Sequence, residues 1–220
     1  MAIRPFVKWA GGKGQLLLEL KKLYPKDLGT HITKYCEPFV GGGAVLFDIL
    51  SNYQLREVYI SDVNSALINT YQVLQSRCDE LIDALQAHKA AYLKSSDRRA
   101  YYYEARSGFN TLDHTVSADS QLQKAALFLF LNKTCFNGLY RVNRSGAFNV
   151  PAGAYQNPSI LDADQLRQIS ALFQKVTIVC GDYRQSDSFI DGQTFVYFDP
   201  PYRPLGPTAN FTAYTQDGFT

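Results

Sequence analysis

A chain of 220 residues, 46% hydrophobic and 19% charged, has the composition of an ordinary globular protein of one or two domains and not of a disordered one. Its longest apolar run, Ala125 to Leu131, falls well short of a membrane span, and no apolar stretch follows Arg4, Lys8 and Lys13 as a secretory signal would require. A net charge of +2 does not by itself announce a polyanionic partner, and four widely spaced cysteines (Cys36, Cys78, Cys135, Cys180) argue against a disulfide framework or a metal site and for reduced thiols in a cytoplasm.

Leucines at 16, 17, 20 and 23 give Lys13 to Tyr24 a helical spacing that Pro25 ends. Tyr35 to Val40 reads as a strand running into Gly41-Gly42-Gly43, after which Ala44 to Leu50 is helical. Glu57 to Ser61 is a second strand closed by Asp62, and Asn64 begins a long helical stretch. Residues 71–120 are helical and polar, with aromatics at Tyr101, Tyr102 and Tyr103. Gln121 to Asn132 is an apolar helix, Asn137 to Tyr155 is irregular, and Asp162 to Phe173 is helical again. Val176 to Cys180 is a strand of buried type and Thr194 to Phe198 another. Strands alternating with helices at both ends predict an α/β fold with a parallel sheet, interrupted by an inserted helical domain. The expected division is a catalytic domain of residues 1–68 and 160–220 around an insert of residues 69–159.

Chemistry concentrates at strand ends. Asp199-Pro200-Pro201-Tyr202 follows the last strand, where open α/β sheets place ligands. The two prolines stiffen the turn and aim its carbonyls outward. A carboxylate, a fixed carbonyl and an aromatic face together suit a poorly nucleophilic ring amine: two acceptors grip its hydrogens and stabilise the positive charge that develops on attack. Taken alone, the tetrapeptide is equally a stiff turn. Glu37-Pro38-Phe39-Val40-Gly41-Gly42-Gly43 lets backbone approach a ligand, with helix N–H groups behind it. Leu46 stands where a dinucleotide fingerprint needs glycine, which disfavours NAD. Asp62, 21 residues after Gly41, suits ribose hydroxyls. Asp182, with Tyr183 beside it, is a candidate for an adenine amine, though a turn cap is the favoured reading. Gly11-Gly12-Lys13 is no phosphate loop, because Val7 and Gly14 replace its first glycine and its magnesium-binding hydroxyl. Trp9 by itself reads as core. From Ser120 to Leu161 there is no Asp or Glu, while Lys124, Lys133, Arg141 and Arg144 are present, which fits a surface kept free of phosphate-repelling charge as well as it fits chance.

Taken in order, Phe-Val-Lys-Trp-Ala-Gly-Gly-Lys at 6–13, Glu-Pro-Phe-Val-Gly-Gly-Gly at 37–43, Ser-Asp-Val-Asn at 61–64 and Asp-Pro-Pro-Tyr at 199–202 resemble the motifs of the bacterial and phage DNA adenine methylases of the D12 class. The similarity continues through Leu131 to Arg141, Gly146 to Pro151 and Asn210 to Tyr214. It implies a Rossmann-like S-adenosylmethionine-dependent methyltransferase with its DNA-recognition domain between the cofactor and catalytic motifs. By that resemblance Trp9, Lys13, Glu37, Phe39, Asp62 and Asp199 surround S-adenosyl-L-methionine, and the strand-end reading above adds Gly41, Gly43, Asp182 and Tyr183 as candidates for the same site. Asp199, Pro200 and Tyr202 hold a flipped adenine. Lys8, Lys133, Phe136, Asn137, Leu139, Arg141, Arg144, Pro151 and Tyr155 lie along duplex DNA at a G-A-T-C site, Phe136 as the wedge in the opened duplex. Arg141 suits bidentate contact with guanine. No metal and no membrane are implied, and a restriction endonuclease acting on the same site is a further possible partner. Family members extend past the catalytic loop by further helices and strands, so the alternative expectation is a fragment that binds DNA and cofactor without turnover. RNA- or protein-amide methylating relatives usually carry Asn at the position of Asp199, and cytosine-N4 enzymes commonly Ser, so both are disfavoured.

Overall fold

The computed structural model describes residues 3–9 and 11–201. Four strands, β1 (Lys34–Glu37), β2 (Glu57–Asp62), β3 (Val176–Cys180) and β4 (Thr194–Val196), form one parallel sheet in the order β3-β2-β1-β4. Every residue of β1 is buried, as expected of a strand with neighbours on both sides. The expectation of a buried strand fails for β3, which sits at the edge of this order and leaves Thr177 and Cys180 exposed. β4 is regular only to Val196, although the Tyr197 N–H still donates to the Cys36 carbonyl at 2.9 Å. Because β2 and β4 flank β1 on opposite sides, the winding reverses between β1 and β4. Open α/β sheets bind ligands beyond the carboxyl ends of their strands at such a point.

The stretch expected as one helix over 13–24 is broken into a 3₁₀ turn, the four-residue helix α1 (Leu17–Leu20) and a second 3₁₀ turn. Leu17 and Leu20 pack on the core, whereas Leu16 and Leu23 face solvent. The apolar stripe therefore has no continuous surface to lie on. Beyond it run α2 (Ala44–Asn52), α3 (Ser65–Ser76), α4 (Cys78–Lys94), α5 (Arg98–Thr111), α6 (Ala118–Thr134) and α7 (Ala163–Phe173). The long polar helical region resolves into the end of α3, α4 and α5, with turns at Arg77 and Ser95–Asp97. Side chains of Asn64, Asp97, Ser117 and Asp162 accept backbone N–H groups at the starts of α3, α5, α6 and α7, so each break carries its own start signal. Connections β1–α2–β2 and β2–α7–β3 advance the same way across the sheet, so α2 and α7 share a face. Phe47 and Phe173 stack between them at 5.8 Å.

Helix α6 is buried on nearly every side from Leu122 to Leu131, packed by α3, α4 and α5. Its three buried polar side chains are all used, Thr134 by donating its hydroxyl to the Phe130 carbonyl at 2.7 Å. Lys124, counted above among surface cations, points inward: its ammonium donates to the Phe109 and Leu112 carbonyls at the end of α5 and lies 4.0 Å from the Phe109 ring centroid. Asn132 donates to the carbonyls of Lys8 (2.8 Å) and Gly138 (3.2 Å) and accepts from the Lys8 N–H at 2.8 Å. Helix α3 touches both the sheet and α6 within one continuous hydrophobic cluster. The division expected between residues 68 and 69 thus falls inside a helix that serves both halves.

Candidate functional site

Glu37 ends β1 and is buried. The Tyr35 hydroxyl donates to its carboxylate at 2.7 Å, and the Leu46 N–H, in the first turn of α2, donates as well. Burial outweighs these donors, and the negative charge of Asp199 adds to it, so the Glu37 carboxyl is pushed up to about 8. Asp62 ends β2. Its two oxygens accept the Gly41 N–H at 3.1 Å and the Asn64 N–H at 2.9 Å, which ties the glycine loop to the neighbouring strand. Here too burial raises the carboxyl above its ordinary range, with the N–H donors opposing. With the Val63 N–H as a third donor, the carboxylate still keeps acceptor capacity for a ligand. Asp199 lies beyond β4, and Lys13 reaches it at 2.8 Å while also donating to the Gly11 carbonyl at 3.2 Å. The structure therefore brings Glu37, Asp62, Lys13 and Asp199 to one edge of the sheet. Pro200 follows as an exposed residue; Tyr202 and the Asn210 to Tyr214 motif lie outside the described residues.

Trp9 is half-buried and lies on the glycine loop. A Cβ at Gly41 would come within 2.9 Å of its ring and one at Gly42 within 2.9 Å of its Cβ. The glycines are required first by this contact, and Gly43 by the close approach of Tyr71 and Phe47. Gly42→Ala is expected to push Trp9 off the loop at a cost of about 1–3 kcal/mol. Trp9 is the chain's one tryptophan, so its emission maximum reports the displacement directly. Unchanged emission together with an unchanged melting temperature would contradict this packing. Phe39 stacks on Tyr183 at 5.5 Å, and Phe198 closes on both at 6.1 and 6.2 Å. Phe198 is half exposed and carried no expectation from the sequence; its signal was an aromatic directly before the Asp-Pro-Pro turn. Asp182 caps the 3₁₀ turn Tyr183–Ser186 by accepting the Arg184 N–H at 3.0 Å and pairs with the Arg184 guanidinium at 2.8 Å. This is the turn-cap geometry favoured above.

The segment after α6 forms a second surface. Asn137 adopts φ 54°, and Phe136, beside it, is half exposed. The Phe136 N–H donates to the Pro151 carbonyl at 2.9 Å, which sets these two residues side by side. Lys8 packs over Gly138, where a Cβ would strike its side chain, and its ammonium lies 4.9 Å from the Tyr155 ring centroid. Residues 141–149 make a short hairpin: Val142 pairs with Phe148, and the Asn143 side chain organises the tip by accepting from the backbone of Ser145 and Ala147. Asn110 of α5 clamps the hairpin by binding both the N–H and the carbonyl of Phe148, at 2.8 and 3.0 Å. Arg141 and Arg144 are exposed on it, and the Arg141 Nε–H donates to Asn149 Oδ1 at 2.8 Å. Leu139 is half-buried against the core. Lys133 is half-buried in a crevice between Phe6, Leu129, Asp162 and Leu166; burial and the nearby charge of Lys8 lower its ammonium from the usual lysine range.

That crevice, with about 390 Å³ of empty space open to solvent, and a smaller one beside Phe109 and Tyr140 are not lined by Glu37, Asp62 or Asp199. Among the described residues no cluster of His, Cys, Asp and Glu could hold a metal ion, and no helix is long and apolar enough to cross a membrane.

A parallel sheet of this order, with acidic residues at successive strand ends and a glycine loop after β1, is consistent with the S-adenosylmethionine-dependent methyltransferase fold. The sequence matches the D12 class N6 adenine-specific DNA methyltransferases over residues 9–220, and the chain belongs to that family. It is 46% identical over 222 residues to the type II methyltransferase M.MjaIII of Methanocaldococcus jannaschii, covering 100% of this chain and 76% of that protein. Over 220 residues it is 37% identical to the type II methyltransferase M1.LlaDCHI of Lactococcus lactis subsp. cremoris, covering 99% and 72%. The DNA adenine methylase of Escherichia coli (strain K12) is likewise 37% identical over 217 residues, covering 99% and 71%.

Proposed function

We propose that the chain methylates adenine N6 within G-A-T-C in duplex DNA, on a base rotated out of the helix, with S-adenosyl-L-methionine as donor. The observation that carries this reading is the meeting of Asp199 with Lys13 at 2.8 Å, next to Glu37, across the β1/β4 reversal. Bound there, the cofactor would supply an electrophilic methyl group on a cationic sulfur. The residues suit such a group: a buried Glu37 whose own partners are a phenol and an amide would be satisfied by added positive charge, Asp62 retains acceptor capacity for ribose hydroxyls, and Phe39, Tyr183 and Phe198 offer ring faces to a purine. Trp9, Lys13, Gly41, Gly43 and Asp182 complete the proposed cofactor site.

On the substrate side, Asp199 and the Pro200 carbonyl accept the two N6 hydrogens, and Tyr202 stacks on the base. Two acceptors favour a pyramidal amine whose lone pair is free to attack, and the carboxylate stabilises the charge that forms on nitrogen. Within the proposed recognition domain, 69–159, Phe136 fills the gap left by the adenine and Asn137, Leu139, Arg141 and Pro151 read base edges. Lys8, from the N-terminal segment, joins Lys133, Arg144 and Tyr155 at the backbone or flanking bases. The chain segment that supplies these residues, Ser120 to Leu161, carries no Asp or Glu, which supports the reading even without Lys124.

Sequencing that reports modified adenine, after expression in a host lacking adenine methylation, tests the proposal as a whole. N6-methyladenine confined to G-A-T-C is the expected result; modification of another site overturns the assigned sequence. Binding of cofactor and duplex without any modification would favour the non-catalytic alternative. Arg141→Ala is expected to cost about 1–3 kcal/mol of discrimination at one base pair. Arg144→Ala instead should weaken all duplexes alike and lower the slope of log affinity against log salt by about one. A companion nuclease acting on the same site belongs to this proposal, and cleavage of unmethylated but not methylated DNA by a co-encoded protein would establish it.

A further inference from the structure

Tyr140 stands in the middle of the recognition segment yet turns toward the sheet. Its ring stacks on Trp9 with centroids 5.3 Å apart and planes at 21°. On its other sides lie Phe128 at 5.5 Å and Phe148 at 5.6 Å. Trp9 in turn rests on Gly41 and Gly42, where no Cβ would fit. The Tyr140 phenol is hydrogen-bonded by the Asn64 side chain. The Asn64 side chain acts to lower the phenol's pKa, which is the effect of a donor, so its amide NH₂ faces the phenol oxygen while Oδ1 accepts the Leu67 N–H at 3.0 Å. The Asn64 backbone N–H is bound to Asp62, the carboxylate that also holds Gly41.

Tyr140 thereby touches two structures with different tasks. Through Trp9 and Asn64 it borders the glycine loop and the end of β2, where the cofactor is proposed to lie. Through Phe148 it borders the hairpin that carries Arg141, and Phe148 is fastened to α5 by both backbone groups. A ring pressed between two such elements has no room to move independently, since protein interiors are close-packed. Any ligand that shifts Trp9 or the Asp62–Asn64 turn therefore changes the contacts that set the hairpin.

Resting on the function proposed above, we infer that Tyr140 is a positioning residue that couples occupancy of the cofactor pocket to the setting of the DNA-reading hairpin. Such coupling is reciprocal: if cofactor tightens duplex binding by some factor, duplex tightens cofactor binding by the same factor. Burial pushes the phenol up to about 12, so it remains protonated and the contact holds across the working pH range.

The test uses the emission of Trp9, which stacks directly on the residue in question and is the chain's one tryptophan. S-adenosylmethionine is titrated with and without a G-A-T-C duplex, and the duplex with and without S-adenosylmethionine, for the natural chain, Tyr140→Phe and Tyr140→Leu. The natural chain should show a coupling factor of about fivefold or more in both directions. Tyr140→Phe, which keeps the stack and loses the Asn64 contact, should lower that factor while each separate affinity changes less. Tyr140→Leu, lacking both, should bring it to about one with the chain still folded by its melting curve. A factor of one in the natural chain, or an unchanged factor in both variants, overturns the inference. Equal loss of both affinities with the factor preserved shows a merely structural tyrosine and overturns it too. Failure of the natural chain to bind cofactor or duplex at all would instead defeat the proposed function, so the two failures are distinguishable.

Discussion

On the proposed function, Asp199→Ala is expected to lower methyl transfer to a G-A-T-C duplex by about 10²–10³-fold, because it would remove a fixed acceptor at the atom where positive charge develops. Asp199→Asn should fall nearly as far: one carbonyl acceptor survives, but the negative charge does not. The two substitutions differ in a second respect that the geometry makes measurable. Lys13 sits 2.8 Å from Asp199 and is itself largely buried, so either change removes a carboxylate charge from beside a shielded ammonium. Loss of one partner of a shielded pair costs more than the pair contributes, since the remaining charge keeps its desolvation penalty. Lys13→Met combined with Asp199→Asn should therefore regain part of the stability lost by Asp199→Asn alone while regaining no transfer. Single-turnover rates and melting temperatures separate these effects. Transfer by Asp199→Ala at a rate near that of the natural chain would remove Asp199 from the chemistry.

Much of this site was legible in the sequence because its parts are strand ends. Parallel strands buried between neighbours read as short apolar runs, and Glu37, Asp62 and Asp199 each stand at or just beyond the end of one. Their convergence follows from strand order, and that order was not written in any single run: it emerged from pairing β4 beside β1 and not beside β3. Helix starts were similarly legible where Asn64 and Asp162 announced them, whereas the Ser117 cap was passed over because the polar stretch was read as helical through residue 120. The leucine spacing over 13–24 misled because it records apolarity and not what the leucines meet. Leu16 and Leu23 face solvent, and the segment folds in three pieces.

Charge was read less well than burial. Lys124 belongs to an acid-free stretch, yet it is spent on the last carbonyls of α5. The available signal was its place in a helix apolar on all sides, where a cation must find acceptors or not be buried at all. Asn132 follows the same logic and was noted only as part of a motif: it joins the N-terminal segment at Lys8 to the turn at Gly138. Tyr140 was hidden for a different reason. Its partners Trp9, Asn64 and Phe148 are scattered along the chain, and no local periodicity connects them.

Glu37 offers the second large effect, and its sign is fixed by burial. In the unfolded chain the carboxyl titrates near its ordinary value; in the folded chain it titrates at about 8. Between those two values the unfolded form ionises while the folded form keeps its proton, so the folded state loses stability as pH rises through this window. Below the window the contribution is absent, and above it the loss is complete, roughly 3–5 kcal/mol at its upper bound. Glu37→Gln mimics the protonated acid: its carbonyl accepts from Leu46 or Tyr35 and its size is unchanged. The variant should match the natural chain near pH 4 and exceed its stability by pH 8, a difference read from denaturant midpoints at each pH. Taking the difference cancels the opposite, acid-side slopes of Asp182 and Asp191, whose carboxyls are held low by Arg184 and by the Gln193 N–H together with Lys34. Added S-adenosylmethionine should shrink the natural chain's slope, because a cation beside Glu37 favours the ionised form, and should leave the variant's slope unchanged. Parallel stability profiles for the two chains would mean that Glu37 is ionised in the folded state, and the buried-acid account of this pocket would have to be abandoned.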